Sequence, residues 1–423
     1  MKHNFNLALF PEAAIPADNK QTLNQHLTFK ANGMQGRHGW LRLTPAYSVH
    51  LVEKLVADCR QEDLVLDPFC GTGTTALVCA QAGIRCHTVD INPFLVWLTQ
   101  VKCATYSSKD VRLADNLLRQ ALLDCGIVCE NFWTPPIKDI DKWWEPEILR
   151  LLAQVFARIR TSPLDDSARS LCSIIFCRAL IELSSVSFGH QSMSFKKKGT
   201  ETQLFEVSAL ERVQAVFQRI SAEIFQSACE PICERCGQAF YGDSRHLPLA
   251  LPVKEYTKVI TSPPYPNRMS YIRELRPYMY WLGYLDSGRQ AGELDWQAIG
   301  GTWGCATSKL MSWVPNPAIA IPFAGFEEII HRISQQSNIL GLYVAKYFED
   351  TVCHIRSLKE VLAPNAQVHY VVGNSKFYDS ILPTEQIYAA IFKAEGFHNV
   401  NIEAIRKRTS KKELYEYIVS ARL

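Results

Sequence analysis

The sequence predicts an α/β fold with a mostly parallel sheet, a helical insertion and a closing antiparallel hairpin. The segment DLVLDPFCGTGTTALVCAQAGIRCHTVDINPF (63–94) has the pattern of a strand, a glycine loop, a helix and a second strand. Such a β-α-β unit implies parallel strands and a right-handed crossover. The C-terminal part alternates again, from a helix over 340–362 to the consecutive strands VNIEAIRKR and LYEYIVSAR. Two consecutive strands predict the closing hairpin.

Between these parts the pattern is helical, from about 143 to 226. The stretch EPEILRLLAQVFARI places its apolar residues on one helical face, with Pro146 in the first turn. Two further amphipathic stretches follow, separated by the polar loop SSVSFGHQSMSFKKKGT. This block predicts a helical insertion.

Strand patterns return in GQAFYGDSRHLP and YTKVITS, followed by the helical RELRPYMYWLGYL and a less regular region over 286–325. We therefore expect three parts. Residues 1–104 carry the glycine loop, 105–236 form the insertion, and 237–423 complete the sheet and include the region 286–340.

The composition is that of a globular protein without a membrane span. Of 423 residues, 47% are apolar and 21% charged, and the net charge is +3. No apolar run reaches bilayer length, and the N-terminal apolar stretch is too short for a secretory signal. The 14 cysteines are interpreted as reduced intracellular thiols, mostly buried. We therefore expect a cytoplasmic protein in which any nucleic-acid surface is a local patch.

The glycine loop DPFCGTGTT follows a strand and opens a helix, the position at which open α/β sheets bind ligands. Gly71 and Gly73 allow the backbone to approach a ligand closely. The loop lacks the Lys-Ser/Thr ending of a P-loop and the three-glycine dinucleotide spacing. Asp90, at the next strand end, is placed to accept hydrogen bonds from a ribose diol; the alternative is a structural turn with a solvated aspartate. Asp243 in GDSRHLP is placed to read an adenine amino group, although such Gly-Asp pairs usually mark turns.

The stretch TSPPY ends a predicted strand with two consecutive prolines. Pro263 and Pro264 hold backbone carbonyls in nearly fixed positions. A fixed carbonyl and the Ser262 hydroxyl can together accept both protons of an exocyclic amine, which aims the nitrogen lone pair outward. Tyr265 offers a flat face on which a base can stack.

These motifs, in the order DPFCGTGTT, VDINP, GDSRHLP and TSPPY, resemble the DNA amino-methyltransferases that use S-adenosylmethionine. The serine in SPPY is most similar to the cytosine-N4 branch. The resemblance implies a Rossmann-like class I methyltransferase sheet and covers roughly 40–104, 237–285 and 340–423. It implies the following cofactor-binding residues: Asp67, Phe69, Gly71, Gly73, Thr74, Asp90 and Asp243. The segment RLTPAYS (42–48) resembles the family segment over the methionine end of the cofactor.

By the same resemblance, Ser262, Pro263, Pro264 and Tyr265 hold the target amine. The glycine loop precedes SPPY here, whereas many cytosine-N4 enzymes have the reverse order, so both 105–236 and 286–340 are candidates for target recognition. Candidate DNA contacts are Lys196, Lys197, Lys198, Arg268 and Tyr271; the lysine triplet is equally consistent with solvated surface. The basic stretch RKRTSKK (406–412) is consistent with a charged turn.

No cysteine nucleophile is expected, and Cys70 in the glycine loop is interpreted as a packing residue. Cys229, Cys233 and Cys236 have a spacing that could hold zinc, but three coincidental thiols are the simpler interpretation and no metal is predicted.

The resulting hypothesis is a DNA methyltransferase that acts on cytosine N4 in a specific duplex sequence by base flipping. It predicts S-adenosylmethionine as cofactor, duplex DNA as partner, a possible cognate restriction endonuclease, and association with the nucleoid. The open alternatives are adenine-N6 methylation of DNA, methylation of an exocyclic amine in RNA, and a catalytically dead DNA-binding protein.

Overall fold

The computed structural model describes residues 32–33, 35–41, 43, 46–125, 132–187, 194–195, 208–302, 304–408 and 413–423. Within these ranges no helix is both long and apolar enough to cross a membrane. The predicted DNA contacts Lys196, Lys197 and Lys198 lie outside the described residues, as does the 409–412 part of the basic stretch.

A seven-stranded sheet forms the centre of the fold, in the order β10-β11-β7-β6-β1-β2-β5. Its strands are β1 (Leu64–Asp67), β2 (Arg85–Asp90), β5 (Gly237–Tyr241), β6 (Tyr256–Thr261), β7 (Leu362–Gly373), β10 (His398–Lys407) and β11 (Tyr415–Arg422). Five adjacent strands of the sheet are mutually parallel, namely β5, β2, β1, β6 and β7. Strand β11 runs antiparallel to both of its neighbours, β7 and β10. This confirms the predicted parallel sheet with a closing antiparallel hairpin. Two short ribbons pair β3 (Val186–Ser187) with β4 (Ser194–Phe195) and β8 (Ser375–Phe377) with β9 (Ser380–Leu382).

Helices cover the sheet and extend beyond it. In chain order they are α1 (Val49–Val56), α2 (Thr74–Ala82), α3 (Pro93–Cys103), α4 (Ser108–Asp124), α5 (Ile140–Trp143), α6 (Pro146–Thr161), α7 (Asp166–Glu182), α8 (Ala209–Ala228), α9 (Leu247–Ala250), α10 (Tyr271–Trp281), α11 (Gly288–Gln297), α12 (Cys305–Ser312), α13 (Phe326–Gln336), α14 (Asn338–Lys359) and α15 (Thr384–Ala394). Every residue of β1 is buried, as expected for a parallel strand with both faces covered.

The chain adds strands in two directions from β1. It first proceeds outward to β2 and β5, and then returns to place β6 and β7 on the other side of β1. The order of strands therefore reverses between β1 and β6. A crevice opens at the carboxyl ends of the strands at such a switch point, and ligands of open α/β sheets bind there.

Helices α4 to α8 form the predicted insertion between α3 and β5. Their apolar faces share one core with residues of α3 and α10, including Phe94, Leu98 and Trp281, all nearly inaccessible to solvent. The helical block therefore packs directly on the sheet-forming part of the chain.

The region 286–325 is more regular than its composition suggested, because it contains α11 and α12. The Ser287 hydroxyl accepts a hydrogen bond from the Gln290 backbone amide at the start of α11. A serine followed three residues later by glutamine is a helix-start signal. The Gly, Trp and Pro content of the region obscured it.

The Arg37 side chain binds the N-terminal segment to the C-terminal ends of helices α3 and α8. Its buried guanidinium donates to the carbonyls of Lys102 and Ala104, at the end of α3. It also donates to three carbonyls at the end of α8, those of Ser227, Ala228 and Glu230. A cation suits both places, because the last carbonyls of a helix lack partners within the helix and carry partial negative charge.

We expect Arg37→Met to lower the free energy of unfolding by about 3 kcal/mol or more, since it leaves several buried carbonyls without a donor. Urea denaturation of the variant and the wild type measures the difference. The matched control is Arg60→Met, whose side chain is 80% exposed and which is expected to change stability little. Equal unfolding free energies for the two variants would contradict this role of Arg37.

Candidate functional site

Two loops leave the carboxyl ends of the neighbouring strands β1 and β6, and the carboxylate of Asp67 binds both. One oxygen, Oδ1, accepts from the Thr261 hydroxyl at 2.6 Å, and Thr261 is the last residue of β6. The other, Oδ2, accepts from the Thr75 hydroxyl of α2 at 2.6 Å. The glycine loop and the SPPY loop are therefore held against each other by one buried side chain.

The pKa of the Asp67 carboxyl is unusually high for an aspartate because of its surroundings. Burial raises the pKa of its carboxyl to about 7, although hydrogen bonds from Thr261, Thr75 and the Phe69 backbone oppose the shift. The residue is 1% exposed. These contacts give Asp67 a role in joining the loops, and contact with the cofactor remains a prediction for it.

The glycine loop turns sharply at Gly71 and Gly73, with φ of +52° and +74°. Gly73 also lies against α3, because an added Cβ would be 2.4 Å from the Thr99 hydroxyl oxygen. Thr74 follows as the first residue of α2 and is buried, and its hydroxyl lies 3.0 Å from that of Thr72. The first turn of α2 therefore begins at the loop, where backbone N–H groups have no partners within the helix.

A buried lysine of α3, Lys102, also binds the glycine loop. The Lys102 ammonium donates to the Thr72 carbonyl at 3.0 Å, and the side chain is 1% exposed. Burial lowers its pKa to about 8. Sequence reasoning missed this residue, because nothing in its neighbourhood of α3 relates it to the loop.

Asp90 ends β2 beside the glycine loop, as predicted. Its carboxylate accepts from the Gly71 amide at 3.0 Å and from the Asn92 amide at 2.9 Å. It is only half-buried, and a carboxylate accepts about four hydrogen bonds, so it has capacity for a ribose diol. Burial raises the pKa of Asp90 to about 6, and the backbone hydrogen bonds oppose the rise.

Asp243 follows β5, the next strand of the sheet, and is part of an ion-pair network. Both of its oxygens accept from the Arg245 guanidinium, which also pairs with Asp350 at 2.7 Å. Burial works to raise the pKa of Asp243, but Arg245 outweighs it, so the pKa is lowered. Asp243 is therefore a carboxylate with a fixed orientation, and adenine recognition remains a prediction for it.

Phe69, which follows β1, contacts His354, and His354 in turn contacts the chain that follows β5. The sequence did not indicate His354 as a site residue. Its ring meets that of His354 edge to face, with centroids 4.7 Å apart. His354 Nδ1 lies 2.9 Å from the Ser244 carbonyl and therefore donates, while Nε2 accepts from the Tyr370 hydroxyl at 2.7 Å. Burial lowers the pKa of His354 to about 4, so the ring is neutral near pH 7.

The SPPY loop is held by contacts from distant parts of the chain. The Pro264 carbonyl accepts from the Tyr347 hydroxyl at 2.7 Å. Within the described part of the chain, no protein donor binds the Pro263 carbonyl. Of the two proline carbonyls, only that of Pro264 therefore has a protein donor among the described residues.

Tyr265 is enclosed by the C-terminal strands. Its hydroxyl donates to Glu416 at 3.3 Å, and the Arg408 guanidinium lies 5.1 Å from the ring centroid. Gly373, the last residue of β7, meets the ring edge, because a Cβ there would be 2.9 Å from a ring carbon. Burial and Glu416 raise the pKa of the Tyr265 phenol well above its usual range, while Ser262 and Arg408 oppose the rise. Tyr265 is therefore neutral.

Two of the predicted DNA contacts lie beside this loop. Arg268 is exposed and has a φ of +64°, and its amide donates to the Tyr343 hydroxyl at 3.2 Å. Tyr271 begins α10, and burial raises its pKa to about 12. In the basic stretch, Arg406 pairs with Glu416 at 2.6 Å, so together with Arg408 it is part of the site.

The segment predicted to cover the methionine end also reaches the site. The Thr75 proton is used on Asp67, so the Tyr47 hydroxyl donates to Thr75 Oγ1. Three residues of this segment, at 42, 44 and 45, lie outside the described ones.

The cysteines differ from expectation at one pair. Cys233 and Cys236 form a disulfide, so the expectation of reduced thiols throughout is wrong there; their Cα atoms are 5.4 Å apart, within the usual disulfide range. Cys229 is exposed and unpaired with another cysteine. Among the described residues, no group of three or more His, Cys, Asp or Glu side chains could hold a metal ion. Cys70 is buried, 2.9 Å from the Thr99 hydroxyl, and burial raises its pKa, as suits a packing residue.

The strand order, the glycine loop after β1 and the carboxylate after β2 define a Rossmann-like class I methyltransferase fold. The family described as DNA methylase, of the N6 and N4 type, matches residues 18–100. The chain is 19% identical over 398 residues to the Type II methyltransferase M.MvaI of Kocuria varians, covering 89% of this chain and 86% of that protein. It is 37% identical over 76 residues to the Type II methyltransferase M.BsoBI of Geobacillus stearothermophilus, covering 17% of this chain and 15% of that protein.

Among solved structures, the rRNA methyltransferase aviRa from Streptomyces viridochromogenes matches with a TM-score of 0.29 and 12% identity, over 89% of this chain and 86% of that one. This score is too low to support an argument. The sequence matches support a DNA methyltransferase of the N6/N4 family, for which S-adenosylmethionine is the expected cofactor. The Asp90 carboxylate, which accepts from the Gly71 amide, retains the acceptor capacity that a ribose diol would need.

We expect Gly73→Ala to weaken the binding of S-adenosylhomocysteine by at least about tenfold, because the new methyl group would displace Thr99 and with it Cys70. Isothermal titration calorimetry measures the affinity. Gly83→Ala is the matched control, since its φ is +73° and its nearest neighbour would be 3.8 Å away. It has the same backbone strain without the clash, so unchanged affinity is expected. Equal losses in both variants would show that strain alone, and not contact with α3, explains the effect.

We also expect affinity for S-adenosylhomocysteine to fall as the pH is lowered through about 6, because protonation of Asp90 removes acceptor capacity at the diol. Asp90→Asn should bind weakly at neutral pH and show no such step. The control is Asp63→Asn, at the opposite end of β1, where the carboxylate accepts from Thr257. A step that persists in Asp90→Asn would assign it to another group, such as Asp67.

Proposed function

We propose that this protein transfers a methyl group from S-adenosylmethionine to the exocyclic amine of a base in duplex DNA, with N4 of cytosine as the target. The observation that supports this most directly is the pairing of the two loops through Asp67. This pairing supports the proposal because it would hold the amine acceptors of the SPPY loop close to the glycine loop, where the cofactor is proposed to bind. The family resemblance of SPPY, with serine first, favours cytosine.

The chemistry assigned to the chain is positioning. When bound, the cofactor supplies a methyl group on a positively charged sulfur. The Ser262 hydroxyl and the Pro263 carbonyl accept the two amine protons, so that the nitrogen lone pair points to the methyl carbon. An N–C bond would form as the S–C bond breaks and S-adenosylhomocysteine leaves, and the methylated nitrogen would lose one proton to solvent.

Tyr265 is proposed to stack on the flipped base. Arg408 lies over its ring, and Glu416 holds its hydroxyl, so the ring has a fixed orientation. A base would stack on the ring face opposite Arg408. A fixed aromatic platform lowers the entropy cost of holding an extrahelical base.

Duplex DNA is proposed to lie across the same edge of the sheet. Arg268 is exposed next to the SPPY loop, Tyr271 follows it, and the chain near Arg408 is basic. Phosphate contacts of this kind position the duplex without reading its sequence. Target recognition is assigned to helices α4–α8, with a contribution from α11–α13. By analogy with the Type II relatives, a cognate restriction endonuclease is the proposed biological partner.

Adenine-N6 methylation is the second candidate, because the matched family includes both N6 and N4 enzymes. The mechanism would be the same, since both targets are aromatic amines. Serine at the first position of the loop is the feature that favours cytosine.

We expect incubation with unmethylated genomic DNA and S-adenosylmethionine to yield N4-methylcytosine, identified by mass spectrometry of digested nucleosides. Ser262→Ala and Tyr265→Ala should each lower the yield by about tenfold or more, because each removes a contact made to the target base. Ser420→Ala, on β11 away from the loop, is the control and should retain activity.

N6-methyladenine as the product would reverse the assignment of the base and keep the site. No product on DNA, with transfer to RNA instead, would overturn the DNA substrate. No transfer to either, with cofactor still bound, would indicate a dead enzyme.

A further inference from the structure

Helix α14 presents two tyrosines to the SPPY loop from one face. Tyr343 and Tyr347 are four residues apart, and side chains at this spacing lie one above the other on a helix. The Tyr347 hydroxyl donates to the Pro264 carbonyl at 2.7 Å, and the Tyr343 hydroxyl accepts from the Arg268 amide at 3.2 Å. The loop is therefore bound to α14 on both sides of Tyr265.

The hydrogen bond at Pro264 acts on the least restrained backbone angle of the loop. In the loop Ser262–Tyr265, which Pro266 follows, every residue except Pro264 is followed by a proline. A following proline restricts ψ of the residue before it, so Ser262, Pro263 and Tyr265 have limited ψ freedom. Proline fixes its own φ but not its ψ. The carbonyl of Pro264 therefore turns with the one ψ angle in the loop that no proline restrains.

The Tyr388 hydroxyl holds the Tyr347 hydroxyl in place as a donor to the loop. Tyr347 and Tyr388 are each 1% exposed, and their hydroxyl oxygens are 3.1 Å apart. A hydroxyl has one proton to donate, and that of Tyr347 is used on Pro264, so Tyr388 donates to Tyr347. The hydrogen bonds thus run from α15 through α14 to the loop. Burial raises the pKa of both phenols, so both stay protonated near neutral pH.

We propose that Tyr347 is a positioning residue for methyl transfer, which locks the ψ angle of Pro264 and so fixes the direction of the peptide that leads into Tyr265. This inference rests on the proposed function. Tyr347 does not touch the target base; it acts through the peptide that it holds.

The test compares Tyr347→Phe with Tyr106→Phe. Tyr106 is a buried tyrosine whose hydroxyl donates to the Val101 carbonyl at 2.8 Å, so its variant loses the same kind of hydrogen bond away from the loop. Methyl transfer to DNA is measured at saturating substrates, together with KM for DNA, affinity for S-adenosylhomocysteine and thermal unfolding. We expect Tyr347→Phe to lower kcat by about tenfold, while KM and cofactor affinity change less than about twofold. Both variants should unfold at similar temperatures.

The outcomes separate this inference from the proposed function. A wild-type protein that methylates no DNA would overturn the proposed function, and the role of Tyr347 with it. An active wild type with equal kcat in Tyr347→Phe and Tyr106→Phe would overturn the role of Tyr347 alone. Loss of cofactor affinity, or a lower unfolding temperature only in Tyr347→Phe, would indicate general structural support and would also overturn it. Tyr388→Phe should reduce kcat less than Tyr347→Phe, because it removes only the indirect hydrogen bond.

Discussion

The carboxylate of Asp67 is the interaction on which the geometry of the candidate site depends. It accepts hydrogen bonds from Thr75 at the start of α2 and from Thr261 at the end of β6. Neighbouring parallel strands bring two loops to the same edge of a sheet, but they do not set the distance between the loops. A short buried side chain with two oxygens does. Both loops donate to this one carboxylate, so neither can shift without losing a buried hydrogen bond.

The rest of the site is rigid for a similar reason. Prolines restrict most of the backbone angles in the SPPY loop, and Tyr347 binds the one carbonyl whose ψ they leave unrestrained. Glu416 and Arg408 then fix the tyrosine ring. Local covalent restraint and long-range hydrogen bonds therefore act on different angles of the same loop. The two kinds of restraint together leave the loop little freedom to change the positions of its polar groups.

The sequence predicted the parts of this arrangement that depend on short-range pattern. The β-α-β unit, the loop after β6 and the C-terminal hairpin all appear where the alternation of apolar residues and the turn residues placed them. The residues that sequence reasoning missed reach the site from far along the chain. Lys102 contacts the loop 30 residues away, Tyr347 contacts Pro264 across 83 residues, and Glu416 contacts Tyr265 across 151. The contact of Glu416 follows from the order of strands, which places β7 and β11 beyond β6, and no local pattern encodes that order. Helices α11 and α12 were missed for another reason, since glycine, tryptophan and proline concealed a serine cap.

The raised pKa values of Asp67 and Asp90 affect the stability of the fold and the binding of a ligand in opposite directions. Burial raises the pKa of Asp67 to about 7 and that of Asp90 to about 6, above the ordinary 3.8. A pKa raised on folding means that the folded state binds the proton more tightly, so this contribution to stability is complete below about 3.8 and is lost as the pH rises through 6 to 7. Hydrogen bonds from a ribose diol require the opposite state, an ionised Asp90. Near neutral pH the protein therefore carries carboxylates that lower the stability of the fold. Any ligand that donates hydrogen bonds to Asp90 would offset part of that loss, so its binding would stabilise the folded state.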